Sequence, residues 1–131
     1  MRSQNPAPAL FVRLGIGLAS GIAIAAVDSL AFRGEVSPIV IVALLLGATA
    51  AFGAIWGSRS WFPALTAWVC LPFTHLLKRL LGLPDTLHPN TWASLLPLAA
   101  FTFTVAALGT AGGLLAHRLL RGSHGPSEPR A

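Results

Sequence analysis

The stretch VSPIVIVALLLGATAAFGAIW, residues 36–56, carries no charged side chain. Its length matches the roughly 20 helical residues, at ~1.5 Å each, that cross the hydrocarbon of a bilayer. Pro38 falls where the first turn of such a helix would lie, and there a missing N–H costs little. Working outward from this span, three more apolar runs of similar length are found: residues 9–32, 61–81 and 91–120. Arg13 and Asp28 interrupt the first of them, each close enough to an edge to snorkel. Pro63 suits the first turn of the third, whereas Pro72 lies well inside it and predicts a kink. Asn90 or Thr91 is the expected N-cap of the fourth, which ends in a basic collar of His117, Arg118 and Arg121.

The composition agrees with lipid as the solvent. Hydrophobic residues make up 54% of the 131-residue chain and charged ones 10%, with a mean hydropathy of +0.71, whereas a soluble domain has about 25% charged residues. Backbone groups in lipid must be satisfied within a segment or by barrel closure, and the period-two alternation of a membrane barrel is absent. The expected fold is therefore all-α: a polytopic four-helix transmembrane bundle over residues 9–121 with short loops. The leader 1–8 and the tail 122–131, rich in Pro and Ser with mixed charge, are expected to be disordered. A signal peptide is the alternative for the first span, with Arg2 and Arg13 as its basic part and Ala23-Ile24-Ala25 as its cleavage site. The return of apolar character at Leu30, Ala31 and Phe32 favours a retained span.

Basic residues near helix ends set the orientation. With both termini cytoplasmic, the inner set is Arg2, Arg13, Arg59, Arg118, Arg121 and Arg130, against Arg33, Lys78 and Arg79 outside. Asp28, Glu35 and Asp85 offset the outer three, so the formal net charge of +5 lies inside. These cations flank lipid-length spans instead of clustering on one face of a folded domain, so no nucleic-acid partner is expected. The usage of eight Arg to one Lys, with abundant Ala, Gly, Leu and Pro, matches GC-rich codons and points to a bacterial inner membrane. Trp56, Trp61 and Trp92 fall at the expected interfaces.

Small residues four apart form helix faces that let another backbone approach closely. Gly17 with Gly21, Gly53 with Gly57 and Gly109 with Gly113 are the candidate packing positions. The outer connection, 75–90, is chemically the most varied part. A third helix continuing to Gly82 puts His75, Lys78, Arg79 and Gly82 on one side and Leu76, Leu77, Leu80 and Leu81 on the other, as an amphipathic turn at the membrane surface. Gly82 is the expected stop, followed by Pro84. Asp28 lies about 18 residues, or ~27 Å at the helical rise, from Leu10, near the outer boundary. It is expected to pair with Arg33, Lys78 or Arg79; a sharper alternative pairs it with His75 as a proton or cation site. Asp28, His75, Lys78 and Arg79 are thus the candidate outer polar cluster.

No metal site or cofactor is expected. His75 and His88 lack third and fourth ligands, and His75 belongs to the outer end of its helix and His117 to the inner end of the next, nearly a membrane thickness apart. The single cysteine, Cys70, excludes an internal disulfide and paired-thiol chemistry. Thr66, Cys70, Thr102 and Thr104 lie mid-span, where such groups return hydrogen bonds to their own helix, so no enzyme is expected. The function expected is a non-enzymatic accessory or assembly subunit that binds itself or a larger membrane protein through helix contacts. The alternative is a small dimeric transporter or channel for an ion or small solute. The chain resembles four-helix multidrug exporters and fluoride channels in helix count alone.

Overall fold

The computed structural model describes residues 6–30, 37–85 and 87–123. They form helix α1 (Pro6–Leu30), α2 (Pro38–Trp56), a 3-10 turn (Gly57–Ser60), α3 (Trp61–Leu81) and α4 (Trp92–Gly122), with no strand among the described residues. Three helical stretches are long and apolar enough to cross a membrane: Pro6–Ser29, Pro38–Leu81 and Trp92–Gly122. The middle one, of 44 residues, takes in α2, the turn and α3.

Helix ends follow local chemistry. α1 starts at Pro6, earlier than the expected residue 9, because Pro at the first helical positions gives up only an N–H that has no helical acceptor. Residues 6–8 and 122, expected to be disordered, are therefore helical; residues 1–5 and 124–131 lie outside the described residues. Gly57, at φ 58, ends α2 in the left-handed region that a side chain disfavours, and the chain reverses there. Phe52 then clusters with Ala64 and Ala67, while Ile41 and Leu45 share a cluster with Leu71, so α2 and α3 lie antiparallel. α3 continues through Pro72 to a left-handed Gly82. There the Leu83 N–H donates to Lys78 O at 2.9 Å and the Gly82 N–H to Arg79 O at 3.3 Å, closing the helix as a Schellman motif. Thr91 caps α4 in a reciprocal capping box with Ser94, whose Oγ accepts the Thr91 N–H at 3.0 Å.

Packing pairs the helices that run in the same direction: α1 lies mainly on α3, and α2 mainly on α4. Glycines make both contacts close. Gly17 meets Pro63 and Thr66, and a Cβ added at Gly21 would stand 2.6 Å from Ala67 O. On the other pair, Gly109 faces Thr49 and Leu46, Gly113 faces Ala50, and a Cβ at Gly53 would stand 2.5 Å from Thr110 O. Lipid gives little hydrophobic drive for helices to associate, so contact at backbone distance is what holds them. Gly57 lies under the His117 ring, 3.0 Å from an added Cβ.

Large apolar side chains face outward on every helix, among them Phe11 on α1, Ile39 on α2, Leu80 on α3 and Leu96 on α4. The interior is small and partly hydroxylic: Leu45, Thr49, Ala67 and Thr110 are at most 1% exposed. Thr49 donates to Leu45 O at 2.8 Å and Thr110 to Ala106 O at 2.8 Å. Each hydroxyl is satisfied on its own helix, so burying it costs little.

Candidate functional site

His75 occupies the centre of a polar cluster where α1, α3 and the 83–90 segment meet. Its placement follows from the Gly82 stop: the chain leaves α3 sharply, Pro84 follows, and Asp85 returns over the end of the helix. Asp85 Oδ1 and Oδ2 each lie 2.8 Å from His75 Nδ1. On the other side of the ring, Nε2 stands 3.5 Å from Asp28 Oδ2. Lys78 Nζ reaches Asp85 at 3.4 Å. Asn90 Nδ2 donates to Asp85 Oδ2 at 2.6 Å and to His75 O at 3.1 Å. The His75 residue is 4% exposed and the Asp85 side chain 3%.

Two carboxylates flanking one buried imidazole make demands on its protons. A neutral ring carries a single N–H, so donating on both sides takes the imidazolium form. Burial pushes the Asp85 carboxyl up, but the His75 hydrogen bond and charge, the Lys78 charge and the Leu87 backbone N–H together hold it below its ordinary value. The ring thus bridges Asp28 of α1 and Asp85 of the segment that follows α3. Beside it lies a cavity of about 220 Å³ that touches Asp28 and His75 and is otherwise lined mostly by apolar groups such as Ile41, Leu71 and Phe101.

The structure redistributes the expected outer cluster. Asp28 meets His75, the sharper of the two expectations. Lys78 pairs with Asp85. Arg79 instead donates to Asn90 O and stacks over Trp92, 5.2 Å from the ring centroid. Arg33, the other expected partner of Asp28, lies outside the described residues. The amphipathic turn is also the reverse of a surface turn: His75 is buried, Lys78 and Arg79 are partly so, and Leu77, Leu80 and Leu81 are exposed. Leucines can face hydrocarbon at no cost, whereas the polar side must find partners within the protein.

Asp85 and Asn90 are members of the cluster that the sequence pattern does not mark. From sequence, Asp85 reads only as an outer charge and Asn90 only as a possible cap. The available signal was a carboxylate just past a Gly-x-Pro reversal, opposite His75 and two cations on the last turns of the preceding helix. His88 is exposed and takes no part. Among the described residues, no three His, Cys, Asp or Glu side chains converge on a possible metal position. Mid-helix, Trp68 Nε1 donates to Thr102 Oγ1 at 3.0 Å and to Ala99 O at 3.2 Å, tying α3 to α4. The six candidate glycines all lie against neighbouring elements of this same chain.

The helical stretches define the class, a multi-pass membrane protein. No protein family model, curated protein or solved structure matches the chain, so a more specific reading rests on geometry.

Proposed function

We propose that this chain is a small protein of the bacterial cytoplasmic membrane, crossing four times with both termini inside, and that it serves as a non-enzymatic accessory or assembly subunit. Four crossings are supported by the antiparallel halves of the 44-residue stretch: at ~1.5 Å per residue it spans roughly twice the ~30 Å hydrocarbon. The orientation is supported by Arg13, Arg59, Arg118 and Arg121 gathering at one end, against Lys78 and Arg79 at the other.

One observation carries the assembly role. After the candidate glycines are used inside the bundle, two further small-residue ridges face outward at mid-helix: Gly15, Ala19 and Ala23 on α1, and Ala43, Gly47 and Ala51 on α2. A Cβ added at Gly15 or Gly47 would meet nothing within 4 Å. Such ridges admit another helix at close range, from a second copy or from a larger membrane protein. Replacing Ala19 and Gly47 with Leu fills both ridges without touching the bundle. The expected result is loss of any larger assembly on cross-linking in membranes, with an unchanged melting temperature in detergent. An assembly that survives both substitutions rejects this reading.

The cavity beside Asp28 and His75 favours a second reading, a small dimeric transporter or channel for an ion or small solute. Asp28→Asn would then abolish flux in proteoliposomes; unchanged flux rejects it.

A further inference from the structure

We infer that the end of the bundle opposite His75 binds the phosphate of an anionic phospholipid. Arg13 from α1, Arg59 from the 3-10 turn, and His117, Arg118 and Arg121 from α4 converge with Trp56 around an open cavity of about 580 Å³. The convergence is built by the fold. Gly57 permits the close turn that presents Arg59, and the His117 ring is locked across that turn by its Nδ1–H, which donates to Ala54 O at 2.6 Å. Among the described residues, no carboxylate forms a salt bridge with any of these side chains. Four guanidinium forks around one recess match a tetrahedral phosphate better than a point cation does.

The neighbouring surface selects a lipid over a free anion. Arg13 and Arg59 also border a second recess of about 660 Å³, whose other walls are the apolar Pro6, Leu10 and Phe62 among their neighbours. The apolar Ile55 of α2 and Leu114 of α4 line the arginine cavity itself on the hydrocarbon side of Trp56 and His117, so a headgroup held by the arginines would have its acyl chains led along α2 and α4 toward the hydrocarbon. Basic pockets between membrane helices on the cytoplasmic side recognise anionic headgroups in this way. The inference uses the membrane reading above but neither the assembly role nor the transport role.

The test is native mass spectrometry and thermal melting of the full chain in a neutral detergent, after delipidation. Phosphatidylglycerol, phosphatidylcholine or inorganic phosphate is added in separate arms. The inference expects phosphatidylglycerol to be retained and to raise the melting temperature, with no such effect from phosphatidylcholine. Arg59→Gln, an exposed turn position that leaves the bundle contacts intact, should weaken retention about fivefold, as expected for one cation near a membrane surface. Adding Arg118→Gln and Arg121→Gln should abolish retention, whereas Arg79→Gln at the other end should leave it unchanged. Equal retention of phosphatidylcholine, equal stabilisation by inorganic phosphate, or undiminished binding by the triple variant would each overturn the lipid site. A chain that stays monodisperse without detergent would refute the membrane reading itself before any lipid is added.

Discussion

The two ends of this bundle treat charge in opposite ways. At one end His75, Lys78, Asp28 and Asp85 are drawn inside and contact one another across α1, α3 and the segment that leads to α4. At the other, Arg13, Arg59, Arg118 and Arg121 border open space with no carboxylate bridged to them among the described residues. The first end uses charge as a tie between helices, and the second presents it to the surroundings. Buried charge is tolerated only when it is paired and hydrogen-bonded, so the first end should be sensitive to substitution and the second tolerant.

The sharpest way to break that contrast is His75→Ala. It leaves two carboxylates facing each other away from water, and breaking a buried pair in this way costs about 3–5 kcal/mol, to be read from reversible unfolding in detergent. A loss below about 1 kcal/mol would mean that the polar end is not a tie. Next comes Gly113→Leu, one turn from His117 of the arginine end, where α4 rides directly on Ala50. Overpacking there should cost about 1–3 kcal/mol and loosen α2 from α4, which a cross-link between cysteines placed on the two helices would report. Asp85→Asn should cost about 1.5–3 kcal/mol, the range for a hydrogen bond to a charged group. At the small end of the scale, Arg118→Gln should change stability by no more than about 0.5 kcal/mol.

Acid sharpens the comparison further. Asp85 is held below its ordinary value of 3.8, so the folded state takes up its proton less readily than the unfolded state. Its stabilisation is complete above the ordinary carboxylate range and is lost as pH falls through the lowered value. Melting curves from pH 6 downward should therefore stay flat until the ordinary range is passed, then fall. Asp85→Asn should remove that part of the decline, and Arg118→Gln should leave it in place.

Much of the architecture was legible in the sequence because lipid imposes coarse rules on it. A charge-free run of membrane length can only be helix, and the chain places α3 at the expected 61–81, with the others within three residues of their expected bounds wherever those bounds are described. The glycine spacings identify positions of close approach, but not which helix answers them. That depends on the pairing of α1 with α3 and of α2 with α4, which no local pattern encodes. The polar cluster was half legible. Asp28 and His75 could be placed at one level by counting helical rise, whereas Asp85 and Asn90 reach His75 only because the chain doubles back after Gly82, a tertiary consequence of one left-handed residue. The sequence pattern places the Lys78 and Arg79 side of α3 at the membrane surface, whereas the fold turns these groups toward partners within the protein. Their partners are Asp85, Asn90 and Trp92.

Impermeant thiol labelling of intact cells tests the path of the chain through the bilayer directly. In a Cys70→Ala background, His88→Cys should be labelled from outside, whereas Ser58→Cys and Ser123→Cys should react only after the membrane is opened. Labelling of Ser58→Cys from the same side as His88→Cys would show that α2 and α3 do not each cross, and would contradict the account.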